Sequence, residues 1–392
     1  MPPRYRLDLR RRACEPLRGT VAVADVPCFC EGPNVQGKPP AWEDLVLASA
    51  AVRQPTDDCS KPSLDEASGP RFTPGVDLAR EVRRHWDELG AELAGASVAA
   101  RTEKPGSKDG QSPDGTALGR RRAAILDALL AHVFAQAVGV TGDAPDLALA
   151  AVGSFGRGAV ALRSDVDVRL VVRPGHENHE AAAKVADALL YPLWDAGLSV
   201  GHQVTSASEA LELAQTDLAT ATSLLDLRVI AGDRTLVDEL VDRAYLGLFS
   251  EGQLGAFVER LEEEAASRHA RFGESLYLLE PEVKAGAGGL RDIDIARWAA
   301  RARYRVGGSD PWTELVRLGV IVPREASEIA RAEDFLWRVR NRLHAHAGRK
   351  RDRLTFDQQE LIAIELGYAR RDSTLPPGKA EEIEAAPSSA SP

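Results

Sequence analysis

The segment GSFGRGAVALRSDVDVRLVV, residues 153–172, restricts this chain more than any other part of it. It follows the apolar run LALAAV and opens with glycines at 153, 156 and 158, which permit a sharp turn and a close approach of the backbone to a ligand. DVDVRLVV then alternates with period two, as a strand does. Asp165, Asp167 and Arg169 therefore share one face, while Val166, Val168 and Leu170 share the other. The apolar face fits a buried sheet. On the polar face two carboxylates stand about 6–7 Å apart at their Cα atoms, and both ionised forms repel unless a cation lies between them. Magnesium, or manganese in its place, is the hard cation suited to one or two carboxylates completed by substrate phosphate oxygens. The glycine turn supplies the phosphate side: exposed N–H groups of Gly153, Gly156 and Gly158, the Ser154 hydroxyl and the Arg157 guanidinium all suit an anion. The residues thus point to a divalent-cation phosphoryl-transfer site. The plainer alternative is a tight β-turn whose aspartates solvate an edge strand.

The rest of the chain divides by pattern. Residues 1–75 have scattered prolines, glycines and cysteines without a period and are expected to be disordered. Residues 76–141 form a helical N-terminal region interrupted by a flexible linker at about 99–118. Its first helix spaces Val76, Leu78, Val82, Trp86, Leu89 and Leu93 three and four apart; its second carries Ile125, Leu126, Leu129, Leu130 and Phe134 and stops at Gly139. Residues 142–232 alternate strands (DLALAAVGS, DVDVRLVV, LSVGHQVTS) with helices, and the stretch ASEALELAQTDLATATSLLDLRVIAGD reads as helix throughout. From 233 to 370 the pattern is helical, broken by YLLEPEVKAGAGGLRD, and residues 371–392 form a disordered tail. The fold class is α+β: a small sheet with helices, flanked by a mainly helical domain.

Composition excludes several classes of function. The chain has 392 residues and a net charge of −10, so nucleic-acid binding is not expected, and the arginines of residues 297–353 read as a solvated helical face. No apolar run reaches the ~18 residues of a membrane span, and no secretory signal opens the chain. A cytoplasmic protein is expected. All four cysteines, Cys14, Cys28, Cys30 and Cys59, precede residue 60 without a spaced CxxC pair, and read as free thiols. No Walker segment or kinase signature occurs, and GAGGLR has Arg291 where a dinucleotide fingerprint needs glycine. His344 and His346, two apart on a helix, point to different sides and do not form a metal pair.

Gly153 and Ser154, followed by Asp165 and Asp167 on a strand, resemble the signature of the polymerase-β-type nucleotidyltransferases. Downstream, YPLWDAGLSVGHQV, DLATATSLLDLRVIAGD, EPEVKAGAGGLRDID and FLWRVRNRLHAHAGRKRDRLTFDQQELIAIELGY are similar, in order and spacing, to the amino-terminal half of the bacterial enzymes that uridylylate the nitrogen-signalling protein PII. The resemblance covers about residues 119–368. It implies transfer of UMP from UTP to a tyrosine hydroxyl of a PII-type protein by two-metal catalysis. It also implies that Asp165 and Asp167 are the metal-binding and catalytic residues. Gly153, Ser154, Gly156, Arg157 and Gly158 then form the nucleotide loop, and Lys284 and Arg291 belong to a second motif, read from its residues either as a glycine turn that meets nucleotide phosphate or as a structural turn whose cations pair with nearby acids.

The sequence departs from that family at Ala285, Ala287 and Thr205, where an acidic residue, a proline and an arginine are usual. A third carboxylate is absent from LSVGHQVTS, which leaves Asp195, Glu209 and Asp217 as candidates. The longer relatives continue into uridylyl-removing and glutamine-sensing domains, which this chain is expected to lack. Two further functions remain open on the residues: a non-catalytic module that binds nucleotide or a partner, and a nucleotidyltransferase with another acceptor.

Overall fold

The computed structural model describes residues 80–91 except 86, 115–141, and 146–368 except 274 and 309. These residues fall in one compact unit, Ser68–Pro392. The expected disordered segment, most of the linker, the tail and all four cysteines lie outside the described residues.

The core is a four-stranded sheet built from β1 (Leu147–Ala151), β2 (Val166–Val172), β3 (Val200–Ser206) and β4 (Arg228–Gly232), in the order β3-β2-β1-β4. β1 runs antiparallel to both its neighbours, and β2 and β3 are parallel. All five residues of LALAA are buried, because β1 is central and covered on both faces. On one face Leu147, Leu149 and Ala151 join Val166, Val168 and Leu170 against two long helices, α1 (Thr116–Thr141) and α3 (His176–Asp195). α1 contributes Leu126, Leu129, Leu130, Val133 and Phe134, four of which the helical spacing had marked, and Val82 of the helical residues 80–91 joins the same core. By length and composition α1 is apolar enough to cross a membrane, which amends the reading that no such run exists; here its inner face packs on the sheet.

On the other face Ala148, Ala150 and Val171 pack against α4 (Ala207–Thr216), α5 (Leu218–Leu225), α6 (Arg234–Leu246), α7 (Glu251–Phe272) and α8 (Leu290–Tyr304). The alternation along β2 places Asp167 and Arg169 on this second face. A single turn, α2 (Gly153–Gly156), follows β1, and α9 (Pro311–Arg317), α10 (Pro323–Ala347) and α11 (Phe356–Glu365) complete the helical part.

Two expectations change. RVIAG, read as the end of a helix, is the edge strand β4: the β-branched pair Val229 and Ile230 lies between Asp226 and Gly232, and pairing with β1 decides its state. The arginine-rich run is a solvated face only in part: Arg303, Arg305, Arg317, Arg324, Arg331, Arg349 and Arg353 are exposed, but four others are not. Arg297, Arg301, Arg340 and Arg342 are buried, because the carboxylates of Glu333, Asp226, Asp352 and Glu365 meet them inside.

Candidate active site

Strand pairing brings the glycine turn and the aspartates to one end of the sheet. β1 ends where β2 begins, with Ala151 opposite Val168, and Val152 N–H donates to the Asp167 carbonyl at 3.1 Å. The chain then turns at Gly153, whose φ is +58°, into the single helical turn α2. Gly156 is required by a close approach: a Cβ there would lie 1.9 Å from the Asp226 carbonyl oxygen. Arg228 of β4 closes the turn by donating to the carbonyls of Phe155 (Nη2, 3.1 Å) and Gly156 (Nε, 3.2 Å), while Nη1 and Nη2 grip Asp127 at 3.0 Å. The connection to β2 is clamped by α10. Asn341 Oδ1 accepts from Leu162 N–H, and His344 Nδ1 accepts from Arg163 N–H at 3.1 Å.

Asp165 and Asp167 face a cleft that also receives Gly153, Ser154, Arg157, Lys284 and Arg291. The cleft is walled by Arg297, Trp298, Glu333, Trp337, Arg340 and Lys350 and encloses about 1050 Å³, counting the part open to solvent. Both halves of the expected site therefore meet, although they come from motifs far apart in sequence. Gly156 and Gly158 belong to the same turn but do not line the cleft.

The two carboxylates differ electrostatically. Lys350 Nζ donates to Asp165 Oδ2 at 2.6 Å, and this bond holds the Asp165 carboxyl below its ordinary range. Asp167 is open to the cleft, yet the surrounding walls desolvate its carboxyl, and that effect together with the Asp165 charge raises it. β3 presses close: Asp167 is in register with Gly201, where a Cβ would sit 2.5 Å from Asp167 Oδ1. The pair fits a divalent cation. It offers two hard oxygen donors, their mutual repulsion calls for positive charge, and a lysine ammonium already stands against one of them.

The second motif is a turn organised by Glu282, whose carboxylate accepts from the N–H groups of Lys284, Ala285 and Gly286. The turn leads through Gly289 into α8, and this places Arg291 in the first turn of that helix. Lys284 is partly buried, and desolvation with the nearby Arg340 and Arg291 lowers its ammonium to about 8. Arg291 lies over the Trp298 ring at 5.1 Å.

Arg157 is held differently from the expectation of a phosphate ligand. Its guanidinium donates to Asp226 and, at 2.8 Å, to Asp294 Oδ1. Asp226 is fully buried and also accepts from Trp298 Nε1 (2.8 Å) and Arg301 (2.7 Å). Asp294 in turn meets Arg297, which forks onto Glu333 at 2.7 and 2.8 Å. This chain of ion pairs ties the glycine turn to α8 and α10. Asp226, Asp294, Glu333 and Lys350 were not singled out from sequence, where no local pattern marks them.

The candidates for a third carboxylate go elsewhere. Glu209 caps α4 through Ser206 and meets His179, Asp217 caps α5 through Thr220, and Asp195 is exposed at the end of α3. None of them lines the cleft. Among the described residues, no group of three or more His, Cys, Asp and Glu side chains could hold a metal ion. His344 is buried against Asp352, and His346 faces Gln358 and Glu365.

A four-stranded mixed sheet with a glycine turn after β1, Asp167 on β2 and Asp165 just before it is consistent with an α+β nucleotidyltransferase fold. Comparison with known proteins narrows the class. Residues 110–211 match the nucleotidyltransferase family model DUF294, and residues 256–381 match the model for GlnD PII-uridylyltransferase. The bifunctional uridylyltransferase/uridylyl-removing enzyme of Bradyrhizobium sp. (strain ORS 278) is 38% identical over 286 residues, 71% of this chain and 30% of the relative. Those of Nitrobacter hamburgensis and Rhodospirillum rubrum are 42% and 40% identical, over 58% and 64% of this chain and 24% and 26% of theirs. The chain is thus homologous to the PII-uridylyltransferases, across a stretch that spans between 24% and 30% of the length of these relatives.

Proposed function

We propose that this chain transfers UMP from UTP to a tyrosine hydroxyl of a PII-type protein. The phenolic oxygen bonds to the α-phosphorus, the bond to the bridging oxygen of the β-phosphate breaks, pyrophosphate leaves, and the phenolic proton passes to solvent. The observation that carries this reading is the meeting of Asp165, Asp167, Gly153 and Ser154 with Lys284 and Arg291 in one cleft, since only folding joins the two motifs. In it Asp165 and Asp167 hold a divalent cation, magnesium or manganese, which would supply Lewis acidity and neutralise triphosphate charge. Ser154 and the backbone of the glycine turn orient phosphate, and Lys284 and Arg291 pair with its oxygens. Arg157 acts from behind the turn, because its guanidinium is engaged by Asp226 and Asp294. UTP, a PII-type acceptor and a cytoplasmic setting belong to this reading, which the homology to uridylyltransferases supports.

The test incubates the purified chain with labelled UTP, ATP or CTP, candidate PII proteins, and magnesium or manganese. Label from UTP is expected on a PII tyrosine. Preferential labelling from ATP or CTP overturns the choice of nucleotide, and nucleotide binding without transfer to any PII protein overturns the choice of acceptor.

A further inference from the structure

Lys350 comes from the connection after α10, beyond Gly348, which ends that helix in the left-handed conformation. It reaches across the cleft to Asp165, a residue 185 positions away in sequence, on the opposite wall. The contact is half open to solvent, with 46% of the Lys350 side chain and 41% of the Asp165 side chain exposed. An ammonium so placed is weakly held and displaceable. It also stands on an oxygen that a divalent cation would need, in a cleft where Lys284, Arg291 and Arg340 already gather positive charge for an anionic ligand. A lysine and a divalent cation cannot both take that position against Asp165 without mutual repulsion.

We propose that Lys350 is the resident counter-cation of the Asp165–Asp167 site: it holds Asp165 until a divalent cation arrives with nucleotide, and then turns to the phosphate chain. The inference rests on the reading of this cleft as a metal and nucleotide site. It makes cation binding and nucleotide binding mutually reinforcing, because nucleotide phosphate draws Lys350 away from the oxygen that the cation takes, and the reciprocal effect follows by linkage. It also assigns a function to a side chain that a purely structural surface ion pair would leave without one.

The experiment titrates Mn²⁺ into the full chain and follows free Mn²⁺ by electron paramagnetic resonance. It compares wild type, Lys350→Met, Lys350→Arg and Asp165→Asn, each with and without a non-hydrolysable UTP analogue. Without nucleotide, Lys350→Met is expected to bind Mn²⁺ at least about threefold more tightly than wild type, the scale of a partly exposed ion pair. The analogue should strengthen Mn²⁺ binding less in Lys350→Met than in wild type, and Lys350→Arg should behave like wild type. Equal or weaker Mn²⁺ affinity in folded Lys350→Met, with wild type binding Mn²⁺ and Asp165→Asn not, overturns the role of Lys350 alone. Failure of every variant, wild type included, to bind Mn²⁺ overturns both this inference and the metal-site reading beneath it.

Discussion

Lys284, partly buried, gives the proposed site a measurable pH dependence. Its ammonium is lowered to about 8 by desolvation and by Arg340 and Arg291, so it is cationic below that pH and loses its charge above it. A phosphate-binding lysine with that property makes nucleotide affinity fall as pH rises through about 8. Calorimetric titration of metal-free UTP should therefore show weakening across this range in wild type. Lys284→Met should bind more weakly throughout and stay flat. Ionisation of the nucleotide itself affects both proteins alike, so the difference between wild type and Lys284→Met isolates the lysine. A wild-type profile as flat as that of Lys284→Met would contradict the role. At this scale the sequence was informative where chemistry is local. Asp167 lies on β2 and Asp165 one residue before it, and the alternation of DVDV puts both on one face. Lys350 and Asp294 carry no such mark, because what defines them is a partner 185 and 137 positions away.

At the scale of elements, the glycine turn is backed by a network of buried ion pairs. Asp226, in the connection between α5 and β4, accepts from Arg157, Arg301 and Trp298, and its backbone carbonyl lies against Gly156. Asp226→Asn keeps the shape and removes the charge that two buried guanidinium groups share. Breaking such a network costs about 3–5 kcal/mol, so the denaturation midpoint should fall markedly and nucleotide affinity with it. Unchanged stability would mean that the network is incidental to the loop. The same elements mark how far sequence patterns reach. β1, β2 and β3 were legible from an apolar run or from period-two alternation, and α1, α3, α6, α7 and α10 from helical spacing. β4 was not, since five residues after a long helical pattern carry too little signal and pairing with Ala148–Ala151 decides their conformation. The buried arginines of α8 and α10 were misread for a related reason: helical spacing tells which arginines share a face, not that Asp226, Glu333, Asp352 and Glu365 await them.

For the molecule as a whole, the described residues hold both the aspartate site and the second motif in a single compact unit, so the reaction requires no residue outside it for those two roles. The two family-model matches, residues 110–211 and 256–381, include every residue that lines this cleft. The proposed uridylyl transfer depends on Asp165 and Asp167 together. It is tested most directly by intact-mass spectrometry of a PII-type protein after incubation with the chain, UTP and magnesium or manganese. Wild type is compared with Asp165→Asn and Asp167→Asn, and thermal melting confirms that each variant is folded. The account expects wild type to add one UMP to the acceptor tyrosine and to release pyrophosphate, and either substitution to slow the transfer at least about a thousandfold. An acceptor that stays unmodified by wild type while UTP binds, or one modified by a folded aspartate variant at a rate near that of wild type, would contradict it.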